Sequence, residues 1–255
     1  MNEDLQPRPR LFVEFAPLSG DDADDIVSLT ASDGLVIDAE RCPAPEMIRS
    51  DAPPAVLVCS EPEVYADWQL MQGLTWVGTG GLDEVARLRD RWPDQAWVPR
   101  LSVYKPTVSY HFSNEFYGEG FKFYRPDTGA IRGYRVTDGD VALAEALERA
   151  RALGFKTLWL HAVDAEQASR GLDLDMLERA RRDWQDALWI SGGATQPQHL
   201  HNLVREGGAD AVVVTEAVAS RCGCESLVAS LEPPEPSGPP KTRIRYVTSE
   251  ERNRA

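Results

Sequence analysis

The chain has 255 residues, enough for one large α/β domain or two small ones around a buried core. Its formal net charge of −14 argues against non-specific affinity for nucleic acid or an anionic membrane surface, although local backbone N–H groups can still hold an anion. No apolar run reaches transmembrane length and MNEDLQPRPR lacks a signal-peptide core; Cys42, Cys59, Cys222 and Cys224 are too scattered for a disulfide framework, so the cytosol is the expected compartment.

After a short extension (1–9), RLFVEF (10–15), GLVIDA (34–39), AVLVCS (55–60) and LTWVG (74–78) read as strands. The helical pattern LDEVARLRDRW follows the fourth, and AWVPRLSV (96–103) is a fifth strand. Residues 104–137 carry ten aromatic or histidine side chains and no helical period. Their second half suggests a β-hairpin around Pro126-Asp127-Thr128-Gly129. A helix is expected from about Asp140 to Leu153, with Val141, Ala144, Leu147 and Ala150 on one face and Gly154 after it. TLWLHAV (157–163), ALWIS (187–191) and AVVVT (211–215) are further strands. Between the last two, a helix opens near Pro197, presents Leu200, Leu203 and Val204, and stops at Gly207. The tail, 232–255, is Pro-rich and then charged, and reads as a flexible appendage whose KTRIRY piece can dock on a partner protein. Most strands are continuously apolar, the pattern of parallel strands covered on both faces. Eight strands with crossovers point to a single (β/α)8 TIM barrel over 10–231, with 104–137 inserted after strand five; an open doubly wound sheet is the alternative.

Side chains at the C-terminal strand ends of a barrel converge. Those ends carry Glu14, Asp38, Glu61, Lys105, His161, Asp164, Ser191 and Thr215. In TLWLHAV, Thr157, Trp159, His161 and Val163 share one face, and Leu158, Leu160 and Ala162 the other. If the first set points inward, His161 stands at the mouth with Asp164 to orient it, and titrates in the range useful for acid/base transfer. If the second does, His161 lies under a helix. Asp38 is either an acid of the site or a helix cap. Ser191, Gly192, Gly193 and Ala194, with Thr215 on the next strand, form a turn whose N–H groups suit a phosphate at a helix start. Lys105 can neutralise that charge, and Tyr110, Phe116 and Tyr124 can close over the mouth as a lid. VGTGG (77–81) is a second possible anion turn, although Asp83 and Glu84 suit a plain helix start. Cys222 and Cys224 read as ordinary thiols on a helix. No metal is expected, and no Rossmann or Walker pattern calls for a nucleotide cofactor.

The order strand–SGG–helix–GGAD–strand (188–215), with GFKTLWLHAVDAEQASRGLDLDMLERAR (154–181) before it, resembles the histidine-biosynthesis barrel family. That family includes the aminoimidazole-carboxamide ribotide isomerase and the cyclase subunit of imidazole-glycerol-phosphate synthase. The resemblance implies a (β/α)8 fold, a phosphorylated small-molecule ligand and acid/base catalysis, with His161 at a ligand-facing position. The sequence departs from the family at its acids: Glu14 and Ser102 stand near the positions of the two catalytic aspartates. Glu166, Gln167 and Ala168 replace an Asp-Gly-Thr, and Glu216 follows Thr215. The expectation is a divergent isomerase or lyase using His161, Asp164, Asp38 and Glu14. The alternative is a barrel that has lost catalysis and serves as a ligand-binding or protein-interaction subunit.

Overall fold

The computed structural model describes residues 8–15, 31–38, 55–58, 74–106, 133–206 and 208–233. Within them, eight parallel strands follow the apolar runs: β1 (Arg10–Phe15), β2 (Gly34–Asp38), β3 (Ala55–Val58), β4 (Thr75–Gly78), β5 (Ala96–Tyr104), β8 (Thr157–Ala162), β9 (Ala187–Ser191) and β10 (Ala211–Thr215). Each pairs with the next, and β10 pairs with β1, so the sheet closes on itself. Two short antiparallel strands, β6 (Arg135–Val136) and β7 (Val141–Ala142), attach to the end of β5. The crossovers after β1, β2 and β3 lie outside the described residues, as do the expected turn at 126–129, Tyr110, Phe116, Tyr124, Glu61, Gly207 and the tail from 234.

Helices α1 (Leu82–Arg91), α2 (Leu143–Ala152), α3 (Val163–Ala168), α4 (Leu174–Asp183), α5 (Pro197–Glu206), α6 (Glu216–Cys222) and α7 (Cys224–Ser230) follow the later strands. Strand residues such as Leu11, Leu35, Leu158, Leu160, Leu188, Ile190 and Val212 pack with helix residues in one large cluster. A second cluster contains strand residues alone: Phe12, Val36, Val77, Val98, Trp159, Trp189, Ala211 and Val213. Because side chains alternate along a strand, this second set is the barrel interior. Phe12 stacks on Trp189 at 4.9 Å, and Arg10 lies over both rings at the N-terminal end. The axis is thus a filled core, with Arg10 at its N-terminal end and a ring of polar side chains at its C-terminal end.

Three local expectations are corrected. The helix expected from Asp140 starts at Leu143, because Val141 and Ala142 pair with Val136 and Arg135. Its buried face is Leu143, Ala146, Leu147 and Ala150, while Ala144 is exposed. Cys222 and Cys224 lie on two consecutive helices, divided by Gly223 at φ 77°, rather than on one. Among the described residues, no group of three His, Cys, Asp or Glu side chains is placed to hold a metal ion.

Candidate functional site

The alternation that puts Phe12, Val36, Val98, Trp159, Trp189 and Val213 inside the barrel also fixes what stands one pleat above them. Glu14, Asp38, Arg100, His161, Ser191 and Thr215 each lie two residues further along an inward-facing row. Register brings several of these together: His161 pairs with both Ser102 and Ser191, Arg100 with Trp159, and Glu14 with Thr215. His161 therefore stands at the mouth, as the inward choice requires, and is only 8% exposed.

Its hydrogen bonds run in one direction. The buried indole Nε1–H of Trp159 donates to Ser191 Oγ at 2.8 Å. That hydroxyl is left to donate to His161 Nδ1, 2.9 Å away. The other ring nitrogen, Nε2, then carries the proton and donates it to Glu166 Oε2 at 3.0 Å. The network assigns this tautomer, because the Glu166 carboxylate can only accept, so Nε2 carries the proton of the neutral ring and Nδ1 is left to accept from Ser191. Burial, and then the nearby Arg100 guanidinium, hold the imidazole pKa below its usual 6.5, against the opposing pull of Glu166. At neutral pH the ring is uncharged, with its ionisable partner Glu166 half-exposed at the rim.

Arg100 supplies the site's inward cation. Its guanidinium lies over the Trp159 ring at 4.6 Å, and its Nη1 stands 3.9 Å from Glu14 Oε1. Its Nε is buried without a hydrogen-bond partner.

The carboxylate on His161 is Glu166, not the expected Asp164. β8 passes directly into α3, and two residues on a helix are about 200° apart, so these two acids diverge. Asp164 instead accepts the Lys105 backbone N–H at 2.5 Å. The Lys105 ammonium does not stand free for a phosphate: it is 3.6 Å from Asp175 and 5.4 Å from the Tyr134 ring. The Tyr134 hydroxyl donates to Asp173 and Asp175, and burial together with these carboxylates keeps the phenol protonated well above its usual range. These residues line a second, acidic cleft of about 630 Å³ beside the mouth. Asp38 ends β2, one strand from Glu14.

The SGG turn has a packing role that its sequence concealed. Gly192 and Gly193 have φ of 95° and 88°. A Cβ on Gly193 would collide with the Gly171 carbonyl oxygen and lie 2.8 Å from that of Ala165. One on Gly192 would collide with the Ala162 carbonyl oxygen and lie 3.0 Å from its carbon. The close approach these glycines permit is therefore to the β8–α3 connection and the loop before α4. Gly193 O accepts the Gly171 N–H at 2.9 Å, and His199 Nδ1 accepts the Thr195 N–H at 3.1 Å. At the other glycine cluster, a Cβ on Gly81 would lie 3.0 Å from the Asp138 carboxyl carbon, so the chain's own carboxylate stands at the start of α1.

Arg100 and Glu166 were the members missed as functional groups by sequence reasoning. A signal for Arg100 exists: it is the lone charge inside the run WVPRLSV and shares parity with Ser102, which stands near the position of a family aspartate. Glu166 had been aligned with a family acid, but its pairing with His161 depends on where β8 stops and α3 begins.

Residues 123–221 match the histidine biosynthesis protein family. The chain is similar to imidazole glycerol phosphate synthase subunit HisF of Desulfosudis oleivorans (35% identity over 88 residues, 34% of each chain). It is similar to the same subunit of Syntrophobacter fumaroxidans (34% over 88 residues, 34% of each chain) and of Micrococcus luteus (28% over 151 residues, 53% of this chain and 57% of that one). The chain thus spans about a third of the length of the first two relatives and 57% of the third. The family match covers the strands bearing His161, Ser191 and Thr215 and leaves out those bearing Glu14 and Arg100.

Proposed function

Because the chain is a divergent member of the histidine-biosynthesis barrel family, we propose that it binds a small phosphorylated metabolite at the C-terminal mouth and moves a proton on it, as an isomerase or lyase. The observation that carries this reading is the oriented unit Trp159–Ser191–His161–Glu166, which opens at its Glu166 end to the mouth. Glu166 is the group that meets the ligand: its carboxylate takes a proton from one carbon and returns it to the next. The His161 Nε2–H behind it stays in place as the donor that orients that carboxylate. Ser191 and Trp159 hold the ring, and Glu14 and Asp38 line the opposite wall. The relatives are named for a glycerol phosphate compound. A phosphoryl group fits this reading at Gly193 and Ala194, near Thr215, with α5 behind it. Residues 104–137 serve as a lid, and the tail from 232 as a contact for a partner protein. Among the described residues no helix is long and apolar enough to cross a membrane.

A second reading, a barrel that binds without catalysis, is favoured by one finding. The SGG glycines answer to backbone packing, so that turn would persist without any ligand. Two measurements separate the readings. Calorimetry tests binding of inorganic phosphate and of aldose and ketose phosphates. Mass spectrometry tests for solvent deuterium entering a bound sugar phosphate next to its carbonyl. The catalytic reading expects binding and exchange, with exchange abolished in Glu166→Gln and reduced in His161→Ala. Binding without exchange establishes the second reading, and absence of both removes the phosphorylated ligand altogether.

A further inference from the structure

The inward cation at the mouth is not used by the proton-moving unit, and its surroundings describe what it is for. Arg100 has five N–H donors, and among the described residues it makes no hydrogen bond: its Nε is buried without a partner and its nearest carboxylate oxygen is 3.9 Å from Nη1. Buried polar groups are almost always paired, so an unpaired guanidinium in a concave site indicates a missing acceptor. One face of the guanidinium is taken by the Trp159 ring at 4.6 Å, a contact that fixes its plane and leaves its edge for hydrogen bonding. The side chain is 20% exposed, so the donors are reachable from the mouth and largely screened from water.

We infer that Arg100 is the anchor for a carboxylate of the ligand, bound edge-on in a bidentate pair above Trp159 and next to His161. A planar monoanion matches the fork of a stacked guanidinium. A phosphoryl dianion fits less well, because Glu14 stands at the same guanidinium and like charges there repel. The ligand is thus a carboxylic acid or carries one in addition to its phosphate. Glu14 tunes the pocket: it holds Arg100 loosely when no ligand is present and competes with the incoming carboxylate. This inference rests on the mouth being a ligand site, but it does not require Glu166 to move protons or the SGG turn to take phosphate.

The test is calorimetric titration of the full chain with malonate and, separately, with inorganic phosphate. Malonate should bind saturably, at least about tenfold more weakly in Arg100→Met, and with intermediate affinity in Arg100→Lys, which keeps the charge but loses the fork. Glu14→Gln should tighten it. Methionine fills the arginine's volume, and circular dichroism establishes that the variant remains folded. Phosphate binding at the SGG turn should be unchanged in Arg100→Met. No malonate binding by the parent, or equal binding by parent and folded Arg100→Met, overturns the inference. Phosphate binding that falls in Arg100→Met as steeply as malonate binding also overturns it, and assigns Arg100 to a phosphoryl group. Arg100-dependent malonate binding in a protein that binds no phosphate or sugar phosphate upholds the inference and rejects the phosphorylated-ligand reading. Sugar-phosphate binding with deuterium exchange but no malonate binding does the reverse.

Discussion

Replacing Gly193 by alanine adds one methyl group at a point where three segments of backbone meet. The residue sits at φ 88°, where an alanine side chain costs about 1–2 kcal/mol by its own sterics. The added Cβ would also collide with the Gly171 carbonyl oxygen and come within 2.8 Å of that of Ala165. Both obstacles are backbone, so neither can rotate aside. Moving the loop away from Gly171 breaks the 2.9 Å hydrogen bond from Gly171 N–H to Gly193 O, a further loss of about 0.5–1.5 kcal/mol. Together the destabilisation is about 1.5–3.5 kcal/mol, before any loss of packing around Ala194. Urea unfolding followed by tryptophan fluorescence measures it. Gly154→Ala is the control: that residue has φ 83°, ends α2 with Phe155 N–H donating to Ala150 O, and has no backbone atom near an added Cβ. It should lose only about 1 kcal/mol. If Gly193→Ala unfolds at the same urea concentration as the parent, or as Gly154→Ala, the close approach is not what requires glycine. The same reasoning makes Gly193→Asp a poor test of phosphate binding, because it breaks the loop first.

The buried imidazole should make stability pH-dependent. Because the His161 pKa in the fold lies below 6.5, the unfolded chain takes the proton first, so stability is full above about pH 6.5 and falls as pH drops toward the folded value. His161→Asn should flatten that decline in urea midpoints measured between pH 7.5 and 5, and Arg100→Met should shrink it by removing one of its causes. An unchanged slope in both variants would refute the assignment. Ser191→Ala leaves the Trp159 Nε1–H and His161 Nδ1 without their shared partner and should cost about 1–3 kcal/mol in the same assay. A loss below the measurement error would mean the relay is not formed. At the N-terminal side, Arg8 donates to both oxygens of Asp33, at 2.8 and 2.9 Å, and Leu11 N–H donates to one of them. Burial works against the Asp33 anion, but the Arg8 and Leu11 hydrogen bonds prevail and hold its pKa below 3.8. Its contribution should be present above that value and lost as pH falls through the folded pKa. Asp33→Asn should lower stability at neutral pH by about 1–2 kcal/mol in thermal melts.

The strands were legible because their composition is redundant: a parallel strand covered on both faces must be apolar at nearly every position, and TLWLHAV, ALWIS and AVVVT have little else to become. For the same reason their orientation was not legible. With both faces apolar, sequence gives no sign of which set points to the axis, and His161 was left between two readings. Closure of the sheet decided it, by collecting Phe12, Trp159, Trp189 and Val213 into a cluster that contains no helix residue.

The sequence by itself determined the order of elements, the helix begun at Pro197 and the resemblance that names a family, since all of these depend on neighbours along the chain. Only the tertiary structure decided what those elements bring together. Whether Asp164 or Glu166 meets His161 depends on a helix starting one residue earlier than the strand pattern suggested. Whether Gly193 is open to a ligand depends on Gly171 and Ala165, more than twenty residues upstream. The isolation of Arg100 depends on what the closed sheet brings to it: among the described residues its Nε has no partner, and the carboxylate at its Nη1 is that of Glu14, from β1, 3.9 Å away. Periodicity records which side of its own strand a residue occupies; a site is made where several strands end, and that meeting is a property of the closed sheet.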